Sequence, residues 1–163
     1  MTLNNYTTRL TQWVGLMLTA LLLMLSNPAA AKHAKLIELE EKLAQHQGQV
    51  VYLDFWASWC IPCKASFPWM NAMQAKYQAQ GLKIITVNLD ADKAHALDFL
   101  AEHPADFEVI YDPKGKIARH FNLPGMPSSM IFDRQGKLVA THVGFNDVKK
   151  VQYQQALANL LAN

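Results

Sequence analysis

The chain has 163 residues and carries 15 Lys plus Arg against 13 Asp plus Glu, a formal net charge of +2. The charges gather into no basic block or acidic tail, which argues against a nucleic-acid or other polyanionic partner. The sequence also lacks internal repeats, low-complexity tracts and any Pro/Gly/Ser linker long enough to divide it, so one domain is expected.

Residues 1–31 read as a targeting segment. Arg9 is their only charge, and a polar stretch from Met1 to Gln12 leads into the apolar run Val14 to Leu25. Ser26-Asn27-Pro28 then precedes the small residues Ala29-Ala30-Ala31, an A-x-A-like cleavage site. Cleavage is expected after Ala31, with export by general secretion, since no cysteine stands near the site for lipid attachment and no Arg-Arg pair is present. An uncleaved anchor is the alternative, although about a dozen apolar residues fall short of the roughly 18 to 20 of a spanning helix. The expected domain, residues 32–163, has about 130 residues, enough for a full core.

Within it, Leu36, Ile37, Leu39 and Leu43 repeat at helical spacing among charged residues until Gly48, which predicts an amphipathic helix over 34–47. Val50 to Trp56 is an apolar run of strand type. From Ile61 to Gln80 the residues Phe67, Met70, Met73 and Tyr77 keep helical register up to Gly81, with Pro68 inside as a source of a kink. Lys83 to Leu89 reads as a strand, Ala91 to Glu102 as a helix, Phe107 to Tyr111 as a short strand, and Pro113 to Phe121 as a helix or turn. Met130 to Asp133 and Leu138 to Val143 flank Arg134-Gln135-Gly136-Lys137, an antiparallel hairpin in which Gly136 supplies the positive backbone angle. Val148, Val151, Leu157, Leu160 and Leu161 mark a final amphipathic helix. Helices alternating with buried strands predict a three-layer α/β domain around a mixed central sheet.

The only two cysteines, Cys60 and Cys63, are separated by Ile61-Pro62 and follow the strand Val50 to Trp56. An apolar strand running into C-x-x-C is the pattern of a redox dithiol. In an oxidising compartment a structural disulfide is the alternative, but it would close a very short loop and stabilise the fold little. If Cys60 caps the following helix, its sulfur lies beside unpaired N–H groups and the positive end of the helix dipole, which favour thiolate. Cys60 is then the nucleophile, and Cys63, one turn further on the same face, the shielded resolving thiol. Pro62 suits the first helical turn, where no N–H is needed.

The run from Asp54 to Lys64, Asp-Phe-Trp-Ala-Ser-Trp-Cys-Ile-Pro-Cys-Lys, resembles the active-site segment of the thioredoxin superfamily. Pro68 resembles its helix-kinking proline, Gly125-Met126-Pro127-Ser128 its loop bearing a cis-proline opposite the disulfide, and Val143-Gly144 the pair that closes its hairpin. The resemblance implies a thioredoxin-like fold with a helix-strand insertion at roughly 93 to 111, before the cis-proline loop. In that respect, and in Trp56 to Cys60 and Phe67-Pro68, the chain is similar to exported reductases of the TlpA, ResA and cytochrome c maturation type.

Several residue roles follow from the resemblance. Pro127, lacking an N–H, lets its loop approach the disulfide, while the Met126 backbone stays free to pair with a bound peptide. Trp59, Ile61, Pro62, Met126 and Pro127 are thus expected at the substrate. Asp54, poorly solvated in an apolar strand, is expected to have a raised pKa and to exchange a proton with Cys63, through water; a strand-end aspartate facing solvent is the alternative. The chain departs from the family where thioredoxin's lysine on the neighbouring strand is Thr86, and where the glutamate of some exported reductases is Ser66. Trp56, Trp59 and Trp69 read as core and rim packing.

The expected activity is reduction of disulfides in protein substrates by a monomer without cofactor or metal, re-reduced by a membrane-bound or exported electron donor. Pro62 before the second cysteine favours a reductant over an oxidase or isomerase of the same fold. A copper-binding module is the alternative from another class, but six scattered histidines offer no ligand spacing with the cysteines. A peroxidase is disfavoured because the Thr-x-x-Cys setting is missing.

Overall fold

The structure, a computed structural model, describes residues 28–162. The apolar run Val14 to Leu25 lies outside them, and the fold below belongs to the unit that begins at Lys35. Helix α1 spans Pro28–Gln45 and so begins before the predicted residue 34; Ala29 to Ala31 are strong helix formers and extend it backwards. After Gly48 the chain enters β1 (Val50–Trp56), then α2 (Ile61–Tyr77), a 3₁₀ turn (Gln78–Gln80) and β2 (Leu82–Asn88). There follow α3 (Lys93–Glu102), β3 (Glu108–Tyr111), α4 (Lys116–His120), β4 (Ser128–Phe132), β5 (Leu138–Val143) and α5 (Asp147–Leu161).

The five strands form one sheet in the order β3-β2-β1-β4-β5. β1 runs parallel to β2 and antiparallel to β4, and β3 is an edge strand parallel to β2. The sheet is therefore mixed, and α3 with β3 is the predicted insertion. All seven residues of β1 are buried, because both faces of the sheet are covered. Tyr52 and Trp56 pack with Phe67, Trp69 and Met70 of α2, Phe99 of α3 and Tyr153 and Leu157 of α5. Val51, Leu53 and Phe55, alternating with them, pack on the other face with Leu39 of α1 and Ile117 of α4. Each large apolar side chain removed from water in this way contributes roughly 1.5–3 kcal/mol, so the central strand anchors both layers.

Local signals set several boundaries differently from the sequence reading. Asp92 caps α3 by accepting the Ala94 N–H at 2.9 Å, so this helix begins at Lys93 and not Ala91. Asp112, almost wholly buried, accepts the N–H groups of Lys116, Ile117 and Ala118 and fixes the short α4. β4 starts at Ser128, two residues before the predicted Met130, because Ser128 and Ser129 continue its pairing with Phe55 and Asp54 despite their polarity. In α5 the inward row is Tyr153, Leu157 and Leu161, whereas Val148 and Val151 are exposed. Residues four apart share a face, and Val151, two residues before Tyr153, points the other way. The hairpin turn is as expected, with Gly136 at φ 76°.

Candidate active site

Cys60 occupies the N-cap of α2, with extended backbone (φ −86°, ψ 100°) and no side-chain cap. Its carbonyl accepts the Lys64 N–H at 3.2 Å, and its own N–H closes a turn onto the Ala57 carbonyl at 3.1 Å. The sulfur thus sits where α2 presents unsatisfied N–H groups, the arrangement that favours a thiolate once the pair is reduced. Cys60 and Cys63 are disulfide-bonded, with Cα atoms 5.2 Å apart. Cys60 is 5% exposed and Cys63 fully buried, so an incoming group meets Cys60 first. Pro62 lies in the first turn of α2, where the missing N–H leaves nothing unpaired.

Around the sulfurs the surface is apolar. Trp59 is 68% and Ile61 84% exposed, and Pro62 is exposed beside them. The peptide between Met126 and Pro127 is cis. Pro127 is buried and Met126 half-buried; the Pro127 carbonyl accepts the Gly144 N–H at 2.7 Å, and Ser128 Oγ donates to the Gly125 carbonyl at 2.7 Å. These bonds pin the loop from both sides. Trp59 and Met126 line one groove of about 610 Å³ together with Leu89, Arg119 and Leu123.

Leu89, Arg119 and Leu123 were not singled out from the sequence, and neither was Asp90. The Asp90 carboxylate, 3% exposed, accepts the Ser58 N–H at 3.0 Å, the Ser58 hydroxyl at 2.8 Å and the Asn88 amide at 2.7 Å. It ties the end of β2 to the loop that delivers Trp59 and Cys60. One signal was available: a buried polar pair, Asn88 and Asp90, at the carboxyl end of a parallel strand, where α/β sheets place their sites.

Asp54 is 2% exposed, and burial pushes its carboxyl well above the ordinary range. Its Oδ2 has no hydrogen-bond partner, so the solvent-facing alternative does not hold. Thr86 is its register partner on β2, but the Thr86 hydroxyl accepts from Trp56 Nε1 at 3.1 Å and donates to the Glu108 carbonyl at 3.2 Å. No cation replaces thioredoxin's lysine at that position. Ser66 is buried and donates to the Cys63 carbonyl at 2.8 Å, a bond internal to α2. Trp56 and Trp69 are core residues, Trp56 packing edge-on to Phe67 with ring centroids 4.8 Å apart.

The Redoxin family model matches residues 26–157. The chain belongs to this family. The thiol-disulfide oxidoreductase ResA of Bacillus thuringiensis subsp. konkukian is 31% identical over 98 residues, 60% of this chain and 57% of ResA. The chain thus spans little more than half the length of that relative. Among solved structures, a thiol:disulfide interchange protein DsbE from Chlorobium tepidum is 51% identical, with a TM-score of 0.72 over 73% of this chain and 84% of that one. The pneumococcal exposed lipoprotein thioredoxin Etrx1 from Streptococcus pneumoniae is 31% identical, with a TM-score of 0.62 over 72% and 90% of the two chains. The family places the chain in the thioredoxin superfamily, with a thioredoxin-like fold of the TlpA and ResA kind.

Proposed function

We propose that this protein is an exported thiol:disulfide oxidoreductase that reduces disulfides in protein substrates. The observation that carries the reading is the asymmetry of the cysteine pair. Cys60 stands at a helix N-terminus beside an apolar groove, and Cys63 is sealed behind it. Thiol-disulfide exchange needs one accessible low-pKa thiol and one protected thiol that attacks only after the first has reacted.

In the reduced form, Cys60 thiolate attacks one sulfur of a substrate disulfide, joining the substrate and releasing its other sulfur as thiolate. Substrate backbone pairs with Met126 on the cis-Pro127 loop, while Trp59, Ile61 and Pro62 supply apolar contact. Asp54 takes the proton of Cys63, whose thiolate then attacks Cys60 Sγ. The Cys60–Cys63 bond forms, the second substrate sulfur leaves, and two electrons have passed to the substrate. A membrane-bound or exported donor restores the dithiol. Export is supported by the character of residues 1–31, read as a signal peptide ahead of the domain at 32–163, and by the exposed location in the name of Etrx1.

The test is trapping. Cys63→Ser should accumulate a mixed disulfide between Cys60 and a model substrate such as insulin, visible on non-reducing gels, whereas Cys60→Ser should form none. Equal adducts through Cys63 in the Cys60→Ser protein would overturn the assignment.

A further inference from the structure

On the sheet face covered by α2 and α5, a polar row crosses otherwise apolar packing. β1 and β4 pair Asp54 with Ser129, and β4 and β5 pair Ser129 with His142. Directly opposed residues project to the same side of a sheet, so these three side chains stand in line from the centre of the sheet to its edge strand. In the other direction the row meets Thr86, whose hydroxyl is already engaged.

Asp54 Oδ2 and His142 Nδ1 are both closed off from solvent, and neither has a hydrogen-bond partner; the same holds for Trp69 Nε1. The Trp69 ring lies over this face of the sheet, 5.6 Å from Tyr52 and 6.3 Å from Tyr153 between centroids. Each such orphaned group costs stability, so three around one patch call for a shared cause. A hydrated polar path is one, because buried water settles where several polar atoms lack partners. The imidazole is held in place by stacking on Tyr153, with centroids 4.0 Å apart and planes at 21°. Two strand spacings of about 4.8 Å separate the Asp54 and His142 backbones, a gap of the size that a hydroxyl and one or two waters span, and Ser129 stands between them in the register.

We infer that His142 is the outer end of a proton path running from Asp54 through Ser129, and that it serves the resolution step assigned to Cys63 above, a reading on which the inference rests. In that step the Cys63 thiol gives its proton to Asp54, Cys63 thiolate forms its bond to Cys60 Sγ, and the substrate sulfur leaves as thiolate, to be protonated by solvent. Asp54 then passes the proton outward. With its own hydrogen on Nε2, His142 accepts at Nδ1 and releases from Nε2 to water, returning the carboxylate for the next cycle.

Among the described residues, the titratable groups shown against the path are Tyr52 on β1 and Tyr153 on α5, with Lys149 of α5 bonded beside His142 at Val143; Cys63 on α2 is the group that the proposed resolution step itself brings to Asp54. Burial holds both tyrosines above their ordinary range, aided by Asp54 and, at Tyr52, opposed by a hydrogen bond with the Ser129 side chain, which ties this tyrosine to the path; both stay protonated. Lys149 Nζ is engaged with the Val143 carbonyl. Burial lowers the His142 pKa from 6.5, so the imidazole is neutral at neutral pH and holds a proton taken from Asp54 only in passing, handing it on to water.

The experiment follows the decay of the Cys60–glutathione mixed disulfide by acid quench and mass spectrometry, after mixing reduced protein with oxidised glutathione. His142→Phe keeps the stack and removes the acceptor; it should lengthen the life of the adduct about tenfold at pH 7, with the alkylation rate of Cys60 unchanged. Ser129→Ala, which leaves the imidazole in place, should slow the same step. In the wild type the rate should fall as acid protonates His142, and His142→Phe should lack that fall. In an Asp54→Asn background His142→Phe should add nothing. Wild-type decay in both His142→Phe and Ser129→Ala, or an equal further loss in the Asp54→Asn background, would overturn the path. A wild-type chain whose Cys60 and Cys63 both stay reduced in oxidised glutathione would instead refute the thiol-exchange reading, and the path with it.

Discussion

Asp54 shows at the scale of one residue how function is set against stability. Its neighbours on β1 are apolar and buried, whereas its carboxyl meets no partner for Oδ2 and no cation. The unfolded chain releases this proton near 3.8, and the folded chain, through burial, holds it to a much higher pH. A folded pKa above the unfolded one means that stability is intact below about pH 4 and is lost as pH rises toward the folded value. Asp54→Asn should therefore be more stable than the wild type at pH 8, with the gap closing toward pH 4 in urea titrations. A constant gap would mean the carboxyl titrates normally. The other buried acid near the site, Asp90, has its carboxylate matched by three donors. Asp90→Ala strands Ser58 and Asn88 and should cost about 2 kcal/mol by urea denaturation; it should also slow alkylation of Cys60, because the loop before the nucleophile loses its tether.

At the scale of elements, the inserted strand is held by one carboxylate. Glu108 on β3 meets Lys42 of α1 at 2.8 Å and Lys83 of β2 at 2.6 Å, with His46 Nε2 3.3 Å away. Partial burial pushes its pKa up, but the two lysines prevail and bring it down to about 2. The stability it contributes is complete above 4.5 and is lost as pH falls from there toward 2. Glu108→Gln should cost about 1 kcal/mol at pH 7 and flatten the acid limb of the stability profile; an unchanged acid limb would contradict the clamp. Around the same strand, Asn71 of α2 donates to the Pro104 carbonyl at 2.8 Å and accepts the Asp106 N–H at 3.0 Å, so the insertion is tied to the helix that carries the cysteines.

Over the whole molecule, what sequence revealed and what it hid divide along range of interaction. β1, the dithiol helix and the hairpin were legible because apolar runs, Gly136 and the C-x-x-C spacing are local signals, whereas the cis-proline loop was legible through the resemblance of Gly125-Met126-Pro127-Ser128 to the thioredoxin superfamily. The start of β4 was hidden because Ser128 and Ser129 look like loop residues until their pairing with β1 is seen. The inward face of α5 was misjudged because valines at 148 and 151 carry the same hydropathy whether or not a sheet lies beneath them. Asp90 was invisible because its partner Ser58 is 32 residues away, and the groove because Trp59, Arg119 and Met126 meet only after folding. Together these features describe an apolar docking surface around one reactive sulfur, backed by a buried acid. On the function proposed above, this surface passes electrons to protein disulfides, with the direction set by potential. The direct measurement is the equilibrium reduction potential of the Cys60–Cys63 pair against glutathione or dithiothreitol, read by Trp59 fluorescence or thiol trapping. A value near or below thioredoxin's, roughly −270 mV, is expected for a reductant; a value near −120 mV, that of a strong oxidant, would contradict the proposed direction.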